Sequence, residues 1–259
     1  MTSLANKTAL ITGGAQGIGA AIARRLARDG VAVAVIDVNA EKAESTAAAL
    51  QETGARAMSA VIDVTDRASV VEGVAAIAAE LGPPAILVNN AGVYKSTPLL
   101  DTSAEIWNLS LDVMLKGTLL MSQAAAPHMI RPGWGRIINL GSMMGSVAYG
   151  EDLAYCTAKS GILGLSRSLS AELAKHNICV NTICPGNILT PMLEQTAQAI
   201  KQRDGLETGS WLRDRGQDIP LGRLGRPEDI SKAVSFFCSE DADYITGQSL
   251  HVNGGLYQS

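Results

Sequence analysis

Tyr155 is followed four residues later by Lys159, and Ser142 lies thirteen residues upstream of the tyrosine. Four residues is about one helical turn, so the phenol and the ammonium share one face of a helix. A neighbouring ammonium favours phenolate and pulls a tyrosine pKa down from about 10. Such a phenol can move a proton onto or off an alcohol oxygen near neutral pH, and Ser142 adds a hydroxyl to the same oxygen. Any helix carrying Tyr-x-x-x-Lys meets half of this pattern, so the chemistry depends on what surrounds it.

The elements that must position these residues alternate along the chain. Strands are expected over Lys7 to Thr12, Val31 to Asp37, Arg56 to Asp63, Ala85 to Asn89, Arg136 to Leu140, Ile178 to Cys184 and Ser249 to Val252. Helices are expected over Gly17 to Asp29, Ala40 to Thr53, Ala68 to Leu81, Ser103 to His128 and Leu153 to Lys175. Such βαβα alternation predicts an α/β fold, a doubly wound parallel sheet of about seven strands with ligands beyond the strands' carboxyl ends. No repeat or linker interrupts the 259 residues, which are read as one Rossmann-type domain. The polar segment Asn187 to Pro220, with Gly205, Gly209, Gly216 and Trp211, breaks the alternation and is expected to be a substrate lid; a solvated excursion is the alternative.

The first strand runs through Thr12-Gly13-Gly14-Ala15-Gln16-Gly17-Ile18-Gly19 straight into a helix. Glycines let the backbone N–H groups approach a pyrophosphate, and the helix N-terminus sets positive potential on it. The spacing G-x-x-x-G-x-G is a cousin of the dinucleotide fingerprint, and it has the required strand–turn–helix context. Asp37 closes the second strand, 18 residues beyond Gly19, where a carboxylate accepts ribose hydroxyls and repels a 2′-phosphate. Neither Gln16 nor Val38 offers a cation, so NAD is expected rather than NADP. Asp63-Val64 suits the adenine amino group or, equally, a helix cap.

Composition excludes other classes. A 47% hydrophobic content with only 4% aromatics suits aliphatic strands covered by helices. A net charge of −4 without a basic tract argues against nucleic acid. Cys156, Cys179, Cys184 and Cys238 lack metal-ligand spacing and read as buried free thiols, with no metal expected. Met1 to Asn6 carries no signal sequence and no apolar run spans a membrane, so a soluble cytoplasmic protein is expected.

Taken together the motifs resemble the short-chain dehydrogenase/reductase family over essentially the full length. The resemblance rests on Thr12-Gly13 through Gly19, Asp63-Val64, Asn89-Asn90-Ala91-Gly92, Ser142, Tyr155 to Lys159, Pro185-Gly186, and Tyr244 to Gln248 with Asn253-Gly254-Gly255. It implies that Tyr155 is the general acid/base, that Lys159 binds the nicotinamide ribose and lowers the Tyr155 pKa, and that Ser142 orients the substrate oxygen. It implies cofactor contacts from Gly13, Gln16, Gly17, Ile18, Gly19, Asp37, Asp63, Val64, Asn90, Gly92, Tyr155, Lys159, Pro185 and Gly186, with Ile188 and Thr190 at the carboxamide. It also implies a homotetramer that pairs the long helices and packs the last strands. One position departs: Met114 stands where the family usually carries an asparagine thought to hold a proton-relaying water. A rerouted relay, for which Ser110 is a candidate, a slower enzyme and a non-catalytic dinucleotide-binding regulator all remain open.

Substrate contacts are expected from Ser142, Tyr155, Lys95 and Met144, with Tyr94, Tyr149, Glu151 and Asp152 nearby. The lid adds Glu194, Gln195, Arg213 and Arg215. This polar inventory leans toward a polyol, sugar or hydroxy acid, and a 3-oxoacyl thioester reductase is the alternative within the family.

Overall fold

The computed structural model describes residues 4–204 and 208–258; Gly205 and the first three residues of the Met1 to Asn6 start lie outside them. The strands are β1 (Thr8–Thr12), β2 (Ala32–Asp37), β3 (Ala57–Val61), β4 (Pro84–Asn89), β5 (Gly135–Leu140), β6 (Ile178–Pro185) and β7 (Ser249–Val252). They form one parallel sheet in the order β3-β2-β1-β4-β5-β6-β7. The order reverses between β1 and β4, which opens a crevice at their carboxyl ends. Residues of β1, β2, β5 and β6 are almost all buried, as expected of parallel strands covered on both faces, and β5 and β6 bury Arg136, Asn139, Asn181 and Thr182 among their aliphatic residues.

Alternation along the strands feeds two cores. Ile11, Val33, Val88 and Ile138 pack on one face against Ile22, Val234 and Phe237. Leu10, Ile36, Leu87 and Ile137 pack on the other against Val74, Met121 and Leu173. The first face is covered by α1 (Gly17–Arg28) and α2 (Ala40–Glu52), the second by α3 (Arg67–Leu81). Asn39 caps α2 at Lys42 N, 2.9 Å away, and Asp66 caps α3 at Ala68 N, 3.0 Å away.

The expected long helix is interrupted. It consists of α4 (Ala104–Leu111), a π-helical turn over Asp112–Lys116, and α5 (Gly117–Ile130). Next comes α6 (Leu153–Leu173), closed by a 3₁₀ turn over Ala174–His176. The 187–220 segment is largely helical rather than a loop, with α7 (Pro191–Asp204) and α8 (Thr208–Gln217). One helix has no counterpart in the sequence reading: α9 (Pro227–Cys238), which lies against α1. Pro227 opens it, and the Asp229 carboxylate accepts from Arg226 N at 2.9 Å.

Candidate active site

The turn from β1 to α1 is tight, and two of its glycines show why. Gly13 has a φ of +60°, and a Cβ there would meet Ala91 Cα and Asn90 Nδ2 at 3.0 Å. At Gly19 a Cβ would fall on the Gly13 carbonyl oxygen and 2.7 Å from Asn90 Nδ2. Asn90 stitches the end of β4 to this turn, donating from Nδ2 to Thr12 O at 3.0 Å and to Gly13 O at 2.9 Å. Gln16 stands at the α1 N-cap but provides no side-chain cap, so the first-turn N–H groups are left for a ligand. A dinucleotide's pyrophosphate fits this donor set.

A cleft of about 670 Å³ runs from that turn along the carboxyl edge of the sheet. Gly13, Gln16, Gly17, Ile18, Asp37, Asp63, Val64, Asn90 and Gly92 line one part. Ser142, Met144, Tyr155, Lys159, Pro185, Gly186, Ile188 and Thr190 line another. Gly19 sits behind the turn, a packing position rather than a wall.

The Asp37 carboxylate accepts from Ala15 N at 3.3 Å and Asn39 N at 3.1 Å, which fixes it at the adenosine end. Sequence reading placed no cation there, yet Lys42 Nζ donates to Gln16 Oε1 at 3.1 Å, across 26 residues. Asp63 accepts from Thr65 N at 2.9 Å and Thr65 Oγ1 at 2.8 Å, closing a turn; the helix cap falls to Asp66 instead.

At the other end, Tyr155 and Lys159 share one face of α6, with the Lys159 Nζ 5.7 Å from the tyrosine ring centroid. Lys159 is only 5% exposed and donates to Leu140 O at 2.7 Å. Burial pulls its pKa down to about 8. Ser142 Oγ accepts from Met144 N at 3.1 Å, which orients the hydroxyl at the end of β5. The Tyr155 phenol is pushed up to about 12 by burial, and the Ser142 hydroxyl offsets part of that. The expected lowering of Tyr155 by Lys159 is therefore not the governing effect in this arrangement. Desolvation outweighs it, and the ammonium is engaged by the Leu140 carbonyl.

Other expectations are corrected. Lys95 points to solvent and does not line the cleft, because Tyr94 beside it turns inward on the extended segment. Of the polar residues singled out in the expected lid, Arg215 lines the cleft, while Glu194, Gln195 and Arg213 do not. Cys156 is half-buried rather than buried; Cys179, Cys184 and Cys238 are buried. Met114 is buried in the π turn, packed with Ala158 and Ile162 behind Tyr155. Trp211 of the expected lid lines the cleft, as do Met143 and Val93, to which the sequence alone points less directly.

A parallel sheet of this order with a glycine turn at its switch point defines a Rossmann-type dinucleotide-binding protein. A family model described as "Enoyl-(Acyl carrier protein) reductase" matches residues 13–257. A 3-oxoacyl-[acyl-carrier-protein] reductase FabG of Haemophilus influenzae is 39% identical over 98% of this chain and 99% of its own. D-threitol dehydrogenase of Mycolicibacterium smegmatis is 40% identical over 97% of this chain and 93% of its own. A crystal structure of actinorhodin polyketide ketoreductase with NADPH superposes with a TM-score of 0.94 at 30% identity, covering 99% of both chains. The chain belongs to the short-chain dehydrogenase/reductase family, whose members bind a nicotinamide dinucleotide, and it is an oxidoreductase of that family. Among the described residues no helix is long and apolar enough to cross a membrane, and no cluster of metal-ligating side chains occurs.

Proposed function

We propose that the chain interconverts a secondary alcohol and its ketone, with NAD(H) preferred and a polyol, sugar or similar small hydroxylated molecule as substrate. The observation that carries this reading is that Ser142, Tyr155 and Lys159 line the same cleft as the glycine turn and Asp37. The nicotinamide dinucleotide supplies the hydride acceptor or donor when bound. Gly13, Gln16, Gly17, Ile18 and the first turn of α1 hold its phosphates, and Asp37 accepts from its ribose. Asp63 and Val64 face the adenine, Asn90 and Gly92 line the middle, and Pro185, Gly186, Ile188 and Thr190 hold the far end. Tyr155 exchanges a proton with the substrate oxygen, and Ser142 hydrogen-bonds that oxygen as its charge changes. Lys159 supplies positive charge beside the phenol and contacts the nicotinamide ribose.

The preference for NAD rests on Asp37, whose charge opposes a 2′-phosphate. Lys42, held at Gln16, is the group that would soften this preference. Oxidation of a panel of polyols, hydroxy acids and simple secondary alcohols, followed as NADH or NADPH formation, tests the reading. Turnover that is faster with NADP⁺ than NAD⁺ on every substrate would refute the cofactor assignment. A second reading, reduction of a 3-oxoacyl thioester, is favoured by the acyl-carrier-protein reductases among the relatives. Stronger activity on an acetoacetyl thioester with NADPH than on any polyol would establish it. Dinucleotide binding with no turnover on either panel would instead mark a non-catalytic regulator.

A further inference from the structure

Asp152 stands at the N-cap of α6, one helical turn before Tyr155, yet its side chain makes no cap hydrogen bond. An aspartate at this position ordinarily accepts from the N–H groups of the first turn. Here Oδ1 accepts instead from the Tyr94 hydroxyl at 2.7 Å, across 58 residues. The Tyr94 ring meets the Tyr155 ring edge to face, with centroids 5.1 Å apart. The backbone enforces the arrangement. Glu151 takes a left-handed φ of 67°, and its carbonyl accepts from Thr97 N at 2.6 Å and Ser96 Oγ at 3.2 Å. Strain at a residue other than glycine is typical of ligand clamps.

The carboxylate so placed is only 7% exposed, and what it shows lines the cleft. Burial raises its pKa, while the Tyr94 and Ser96 hydroxyls and the Arg215 guanidinium act against the rise. A carboxylate offers about four acceptor sites, and Tyr94 takes one of them. An acyl chain lying against it would strip water from a charged group and return no donor, which is costly. A hydroxylated carbon chain returns a donor.

We propose that Asp152, held by Tyr94, selects a polyhydroxylated substrate by accepting a hydrogen bond from a hydroxyl one or two carbons from the reacting carbinol. The inference rests on the hydride-transfer reading and names the substrate class within it. Tyr94 is a positioning residue, and Asp152 is a substrate-binding one.

The test compares the full chain with Asp152→Asn, Asp152→Leu and Tyr94→Phe. Each is assayed on threitol and xylitol against 2-butanol and cyclohexanol, with both dinucleotides. The ratio of kcat/KM for polyol over mono-alcohol should fall about tenfold or more in Asp152→Leu, mainly through KM. Asp152→Asn, which keeps one acceptor, should fall less, and Tyr94→Phe should fall in the same direction. Equal losses on both alcohol classes would overturn the proposal and leave Asp152 with a purely architectural role. An unchanged ratio in all three variants would overturn it while leaving hydride transfer intact. A wild-type chain inert on every alcohol and on the corresponding ketones would refute the polyol dehydrogenase reading and this proposal together.

Discussion

At the scale of single residues, two buried groups with opposite shifts set the chemistry and leave a trace in stability. Lys159 is pulled from its ordinary 10.5 to about 8 by burial. Between those values the folded chain binds fewer protons than the unfolded chain, so stability rises with pH across that window. Below pH 8 the full penalty of the buried charge applies. Tyr155 is raised from 10.0 to about 12, so its contribution falls with pH only above 10. The urea midpoint of wild type, measured relative to Lys159→Met, should therefore climb from pH 8 to pH 10. A flat difference would mean that Lys159 is solvated. Tyr155→Phe removes a phenolic proton donor that shares the cleft with Ser142 and Lys159. It should lower turnover by about 10²-fold or more while NADH binding persists in fluorescence titration. Wild-type turnover in that variant would remove Tyr155 from its proposed role.

At the scale of elements, the sequence announces what is local and hides what is not. The glycine turn, the strand ends at Asp37 and Asn89, and the Tyr155–Lys159 pair are legible because three to four residues of spacing decide them. The Tyr94–Asp152 bond, the Lys42–Gln16 contact and the inward turn that sends Lys95 outward depend on chain segments that meet only in the fold. The helices of 187–220 escaped notice because their polar composition and glycines resemble loop. The π turn at Asp112–Lys116 was invisible because its residues are ordinary helix formers. Gly19 shows how firmly the legible part is built. Gly19→Ala would drive a methyl into the Gly13 carbonyl and Asn90, so it should cost about 1–3 kcal/mol and weaken dinucleotide binding. Thermal denaturation and NADH titration would read both effects, and a variant unchanged in each would show that the turn yields. Met114 is the opposite case, a buried apolar side chain beside Gly92 and Ala158. Met114→Asn should lose about 1–3 kcal/mol for burying an amide, while turnover per folded molecule holds or rises. A collapse in turnover with the fold intact would show that the thioether itself serves the site.

At the scale of the whole molecule, two apolar surfaces lie away from the cleft. One is a groove among Leu111, Leu115, Leu119, Gly161 and Leu165, where α4, the π turn and α5 run beside α6. The other is the sheet edge at β7, along which Tyr244, Leu250 and Leu221 are each exposed. Of the alanines Ala124 to Ala126, Ala125 is buried in the chain's own core and the other two are half-buried against it. Two distinct self-complementary faces are what a closed four-chain assembly needs, because each can generate its own two-fold axis. We therefore expect a homotetramer in which the groove and the β7 face serve separate axes. Leu119→Lys should split it into dimers that keep the β7 contact, and Tyr244→Lys into dimers that keep the groove. The double variant should be a monomer. Sedimentation velocity on the four proteins reads the result directly. Dimers from both single variants and a monomer from the pair would fix two independent interfaces. A monomeric wild type would refute the assembly, and a tetramer surviving both changes would move its contacts elsewhere on the surface.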